Sequence, residues 1–132
     1  MTPMISEDDL KPAKTALIAD DVFSARKLYS KVIGDLGFRI ETAENGVEAL
    51  NKIKKLQPEL VILDIGMPKM DGLKVLERSQ GISPTTRFIV ITAHKDRDTV
   101  LKVARQGVVS YLTKPVNLHD LRKRVLSATT GF

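Results

Sequence analysis

The sequence predicts a doubly wound α/β domain, with a five-stranded parallel sheet and helices on both faces. Three observations predict it. Residues 15–19, 60–63, 88–91 and 108–113 form short apolar runs with the length and composition of strands buried on both sides. Stretches with apolar residues at helical spacing separate them, so strand and helix alternate five times from Lys14 onward. Each run also leads into a polar residue: Asp20-Asp21, Asp64, Thr92 and Lys114. Function in an open parallel sheet collects at the carboxyl ends of the strands, so three carboxylates, a hydroxyl and an ammonium are expected at one edge.

Taken in order, residues 1–13 read as a polar N-terminal tail. A helix opens at Asp21 or Val22 and runs to about Leu36. Phe23, Lys27, Leu28 and Val32 stand at helical spacing, with Gly34 and Gly37 around its end. Residues 38–42 alternate apolar and polar, as in an edge strand. Asn45-Gly46 opens a second helix carrying Val47, Leu50, Ile53 and Leu56, and Gln57-Pro58 stops it. The strand ending at Asp64 is expected at the sheet centre, followed by the turn-rich loop Gly66-Met67-Pro68-Lys69-Met70-Asp71-Gly72. Further helices are expected over about 71–80 and 95–106, the latter closed by Gly107, and Asn117 can cap a last one through about Ser127. The domain is thus expected over 14–128, with 129–132 as a short C-terminal tail.

Composition narrows the classes. A chain of 132 residues suits one domain with a real core. The absence of cysteine excludes a disulfide framework and a thiolate metal site. The longest apolar runs fall far below the ~20 residues of a membrane span, and no signal sequence is evident, so a cytoplasmic protein without membrane insertion is expected. Net charge is +5 but uneven: residues 1–64 hold 11 acids and 9 Lys or Arg, whereas residues 65–132 hold 5 acids and 12 Lys or Arg. The basic half suits an acidic partner or nucleic acid, or is a solvated face. With no Trp, two Tyr and four Phe, base stacking on single strands is not expected.

The chemistry rests on the strand ends. Adjacent acids such as Asp20 and Asp21 suit Mg²⁺, a hard cation that prefers oxygen ligands; Asp21 would also serve as a helix N-cap. Asp64, after a buried run, needs a partner or a metal, and can attack phosphorus to give an aspartyl phosphate. The alternative for it is a solvated strand-end acid. Gly66 and Pro68 weigh against that alternative, since the one lets backbone approach closely and the other fixes the turn. Thr92 and Lys114 are each weak signals, but a phosphoryl group carries charge that a cation, an ammonium and a hydroxyl can share.

These residues resemble the receiver domain of two-component response regulators, the family that includes the chemotaxis response regulator. The matching residues are Asp20-Asp21, Asp64, Met67-Pro68, Met70-Asp71-Gly72, Thr92-Ala93 and Tyr111-Leu112-Thr113-Lys114-Pro115, with residues 44–50 resembling the family's second-helix entrance. The resemblance spans about 14–128 and implies a flavodoxin-like strand order 2-1-3-4-5. It also implies roles. Asp64 receives a phosphoryl group from a sensor histidine kinase or histidine phosphotransfer protein. Asp21, Asp64 and the Gly66 carbonyl bind Mg²⁺, with Asp20 assisting through water. Lys114 pairs with Asp64 and then with the phosphoryl group, across a cis peptide to Pro115. Thr92 takes another phosphoryl oxygen and Tyr111 changes rotamer in response. Gly66 and His94 occupy positions where family members tune loss of phosphate.

The output implied is a change in binding to a downstream protein effector. The basic residues of the last two helices make that effector acidic, and nucleic acid is not expected for this domain alone. The chain is expected to catalyse only its own phosphorylation and dephosphorylation. Two other readings remain. One is a receiver-like module that works without phosphorylation. The other is a phosphohydrolase like the haloacid dehalogenases, which need a second acid where this chain has Gly66.

Overall fold

The computed structural model describes residues 13–130. Nearly all of the expected N-terminal tail, and residues 131 and 132, lie outside the described residues. The elements are β1 (Thr15–Ala19), α1 (Phe23–Gly34), β2 (Arg39–Ala43), α2 (Gly46–Leu56), β3 (Leu60–Leu63), α3 (Gly72–Ser79), β4 (Arg87–Thr92), α4 (Arg97–Ala104), β5 (Ser110–Thr113) and α5 (Leu118–Thr129). All strand pairs are parallel, and the sheet order is β2-β1-β3-β4-β5, as expected.

Side-chain alternation along the strands makes two cores. Leu17, Ala19, Val61, Leu63 and Val90 pack with Ala49 and Ile53 of α2, Val75 and Leu76 of α3 and Val103 of α4. Ala16, Ile18, Leu60, Ile62, Ile89 and Ile91 face the other way, toward Tyr29 and Ile33 of α1 and Leu121 and Val125 of α5. Every residue of β3 is buried. Burial of such a side chain contributes about 1.5–3 kcal/mol, and the sheet centre is accordingly almost wholly aliphatic.

The helices begin where polar residues can hold them. Asn45, Asp71, Asp96 and Asn117 each accept a hydrogen bond from the backbone N–H three residues on, the usual N-cap geometry worth about 1 kcal/mol. The helix bodies are shorter than expected at α1 and α4, and α5 runs past Ser127 to Thr129. Ala128 and Thr129 are buried there, and the Thr129 hydroxyl donates to the Val125 carbonyl at 2.7 Å.

Two helix faces differ from expectation. Phe23 is 68% exposed and Leu28 45% exposed, and the sheet-facing side of α1 is Tyr29 and Ile33, flanked by Ala25 and Val32. On α2 the buried residues are Gly46, Ala49 and Ile53, while Val47 is exposed. The buried stripe of each helix is therefore rotated from the row of apolar residues that spacing alone picks out.

Gly46 shows how tightly the loops at the carboxyl edge are packed. A Cβ on Gly46 would overlap the Met70 carbonyl, and the Gly46 N–H donates to the Pro68 carbonyl at 3.3 Å. The start of α2 therefore rests directly on the β3–α3 loop, and any side chain at position 46 would separate them.

Candidate functional site

The carboxyl ends of β1, β3, β4 and β5 bring Asp20, Asp21, Asp64, Thr92 and Lys114 to one edge of the sheet. Asp20 and Asp64 stand just past β1 and β3, where parallel pairing continues for one more step: the Asp20 N–H donates to the Ala43 carbonyl at 3.1 Å and the Asp64 N–H to the Ala19 carbonyl at 3.0 Å. One carboxylate oxygen from each of Asp20, Asp21 and Asp64 lies within 4.8 Å of the others. Lys114 reaches across from β5. Its ammonium donates to Asp20 Oδ2 and to Asp64 Oδ2, both at 2.8 Å. Lys114-Pro115 is the cis peptide in the described chain.

The acids differ in their surroundings. Asp20 is buried; its second carboxylate oxygen accepts from the Val22 N–H at 2.9 Å. Burial pushes its carboxyl above the ordinary range, more than the bonds from Lys114 and Val22 draw it down, and the neighbouring Asp64 adds to the rise. Asp64 is also buried, and burial alone would raise it. Hydrogen bonds from Lys114, the Gly66 N–H and Thr92 outweigh that, so its carboxyl lies below the ordinary range. The same ammonium serves both acids, and the extra donors around Asp64 decide which one holds its charge more firmly. Burial acts downward on Lys114, but its bonds to Asp20 and Asp64 raise it well above the ordinary lysine value.

Asp21 is exposed and makes no hydrogen bond or ion pair among the described residues. It does not cap α1, whose N-cap is Val22 with no side-chain cap bond. Of its two sequence readings, the cap is therefore absent and a carboxylate directed to the cluster remains. The solvated reading of Asp64 likewise fails, since the residue is 7% exposed.

Thr92 ends β4 fully buried, and its Oγ1 accepts the His94 N–H at 3.4 Å. Tyr111 packs against the core, and its hydroxyl donates to the His94 carbonyl at 2.7 Å. The backbone of His94 is thus tied at its N–H to Thr92 and at its carbonyl to Tyr111. The His94 ring lies against Gly66: a Cβ there would stand 3.1 Å from Nε2 and 3.7 Å from Asp64 Oδ1. His119 is exposed in the first turn of α5.

Three features escaped the sequence reading. Lys114 pairs with Asp20 as well as Asp64. Tyr29 of α1 is buried close enough to Lys114, Asp20 and Asp64 to feel their charge, and burial raises its hydroxyl above the ordinary tyrosine value. Arg26 contacts the β1–α1 turn, its Nη1 donating to the Asp20 carbonyl at 2.7 Å. Only the position of Arg26 in the first turn of α1, six residues after Asp20, signals such a contact.

A hard, all-oxygen donor set of three converging carboxylates fits a small divalent cation, and Asp21, free of other partners, is the acid able to turn toward it. Among the described residues, no helix is long and apolar enough to cross a membrane.

Comparison with known proteins agrees with this geometry. A family model described as the response regulator receiver domain matches residues 16–126. Sporulation initiation phosphotransferase F of Bacillus subtilis (strain 168) is 33% identical over 109 residues, covering 83% of this chain and 88% of that protein. Regulatory protein AtoC of Escherichia coli (strain K12) is 34% identical over 80% of this chain, which spans only 23% of that longer protein. Among solved structures, a CheX–CheY–BeF3–Mg²⁺ complex from Borrelia burgdorferi superposes with a TM-score of 0.81 and 32% identity, covering 86% of this chain and 87% of that chain.

Proposed function

The chain belongs to the response regulator receiver domain family, and from that premise we propose that it is a phosphorylation-controlled interaction module of a two-component system. The observation that carries the reading is Lys114, held at 2.8 Å from both Asp20 and Asp64 beside three converging carboxylates. An acceptor, a cation site and a phosphate-binding ammonium are together there. The Borrelia structure, a CheX–CheY complex with BeF3 and Mg²⁺, supports the same assignment.

In this reading an Asp64 carboxylate oxygen attacks phosphorus as the P–N bond of a phosphohistidine breaks. The imidazole nitrogen leaves with the bonding electrons. Mg²⁺, held by Asp21, Asp64 and the Gly66 carbonyl with Asp20 assisting, would neutralise oxygen charge on the phosphoryl group. Lys114 keeps its proton throughout and passes from the Asp64 carboxylate to a phosphoryl oxygen. The chain promotes only its own phosphorylation and dephosphorylation, and its setting is cytoplasmic. Phosphohydrolase chemistry is disfavoured, because position 66 offers no second acid. The direct test is intact mass after incubation with Mg²⁺ and a small phosphodonor, where one phosphoryl mass is expected.

Asp21→Ala should leave the fold in place and remove most of the rise in melting temperature that Mg²⁺ gives the parent, since a ligand binding only the folded state stabilises it by linkage. A variant with the parent's full Mg²⁺ response would exclude Asp21 as a ligand.

The switch runs through Thr92 and Tyr111. A phosphoryl oxygen gives the Thr92 hydroxyl a new acceptor; as the hydroxyl moves toward it, the His94 N–H bonded to Oγ1 is drawn along or released, and the loop whose carbonyl Tyr111 holds is rearranged. Tyrosine fluorescence should therefore change on phosphorylation of the parent. Thr92→Ala should gain phosphate with little of that change; an undiminished response would break this coupling.

The effector is an acidic protein. Lys95, Arg97, Lys102, Arg105, Arg122, Lys123 and Arg124 are all exposed on or beside α4 and α5. Reversing Lys102 and Arg105 to Glu should leave phosphorylation intact, while effector binding weakens at least tenfold at low salt, on the scale of lost charge complementarity. Unchanged binding would place the output surface elsewhere.

A further inference from the structure

We infer that Arg26 is the positioning residue for the two acids of the β1–α1 turn, an inference that rests on the proposed Mg²⁺ site. Asp20 is fixed at four points. Its N–H donates to the Ala43 carbonyl, its Oδ1 accepts from the Val22 N–H and its Oδ2 from Lys114. The fourth is its backbone carbonyl, which accepts from Arg26 Nη1 at 2.7 Å. That carbonyl belongs to the peptide joining Asp20 to Asp21, so holding its oxygen fixes the plane from which Asp21 departs. Asp21 has no side-chain partner of its own among the described residues. Its direction toward the cluster is therefore set through the backbone that Arg26 grips.

Arg26 is itself held firmly. Its side chain is only 13% exposed, its Nη2 lies 3.5 Å from Glu44 Oε2, and its guanidinium stands 5.6 Å over the Phe23 ring. Glu44 adjoins Asn45 and Gly46, and Gly46 packs on the loop that follows Asp64. Arg26 thus braces the β1–α1 turn against the β2–α2 loop, and through it against the β3–α3 loop.

Two effects of the guanidinium oppose each other. Its charge repels a dication, so removing it would tighten Mg²⁺ binding. Its grip on the peptide orients a ligand, so removing it would weaken binding. Glu44 offsets the charge, whereas nothing else holds the Asp20 carbonyl among the contacts of this turn, so the positioning effect prevails.

The test is Mg²⁺ titration of the full chain, read as the shift in melting temperature, for the parent, Arg26→Ala and Arg26→Lys. Arg26→Ala should need roughly tenfold more Mg²⁺ for the same rise in melting temperature, the size of one charge-assisted hydrogen bond. Its phosphoryl gain at saturating Mg²⁺ should match the parent. Arg26→Lys keeps the charge and can make one bond to the carbonyl, so its Mg²⁺ requirement should return most of the way toward the parent; it also serves if the alanine variant fails to fold. A Mg²⁺ requirement in Arg26→Ala that is unchanged or lower overturns the inference, as does a lysine variant that needs tenfold more Mg²⁺ than the parent. A parent that ignores Mg²⁺ overturns the site itself, and the inference with it.

Discussion

Lys114→Met is expected to lower stability by about 2–4 kcal/mol at neutral pH without Mg²⁺, because it leaves two buried carboxylates facing each other with no cation between them. The side chain is 22% exposed in the parent, which places the loss below that of a fully buried pair. The deficit should depend on pH in a definite direction. Asp64, whose carboxyl is held below the ordinary range in the folded parent, stabilises the fold above its unfolded value of about 3.9, and that contribution disappears as pH falls through the lower folded value. Asp20 runs the other way: raised by burial, it binds its proton more tightly folded than unfolded, so protonation favours the folded chain. Without Lys114 both acids should titrate upward. The gap between variant and parent should then be widest near neutrality and narrow as the solution becomes acidic. Mg²⁺ should also narrow it, by supplying a different cation to the same acids. Urea unfolding at several pH values, with and without Mg²⁺, measures this. A deficit independent of both pH and Mg²⁺ would mean that Lys114 acts only by packing.

Asp64→Asn should abolish phosphoryl gain completely. The amide keeps the size of the carboxylate but cannot act as the nucleophile. Asp20 and Asp21 are not replacements. Asp20 is committed to Val22 and Lys114, and Asp21 serves the cation in the proposed site. The substitution also removes one of the mutually repelling charges, so the metal-free variant should remain folded, with a weaker response to Mg²⁺. That separates loss of the acceptor from loss of the fold.

The strands were legible because β1, β3 and β4 are covered on both faces, and such strands are continuous apolar runs. The site was legible for a related reason. A parallel sheet sends the residue after each strand to the same edge, so Asp20, Asp64, Thr92 and Lys114 meet although 94 positions separate Asp20 from Lys114. The helix faces were less readable. Phe23, Leu28 and Val47 stand at helical spacing and looked like core residues, yet the faces that turn inward carry Tyr29 and Ile33 on α1 and Gly46, Ala49 and Ile53 on α2, a rotation of the helix that apolar spacing alone does not fix. The pairing of Arg26 with Glu44 was not legible, since a long polar side chain declares its partner only when two loops are folded together. The hold of Tyr111 on the His94 carbonyl is of the same kind, a backbone contact that no side-chain pattern encodes.

The central claim is that Asp64 carries the phosphoryl group. Its most direct test is peptide mapping of the chain after treatment with Mg²⁺ and a small phosphodonor, with the acyl phosphate trapped by borohydride reduction before digestion. The modification should fall on the peptide containing Asp64 and at Asp64 alone, and it should require Mg²⁺. Modification at Asp20, Asp21 or another residue, or none in protein that responds normally to Mg²⁺, would contradict it.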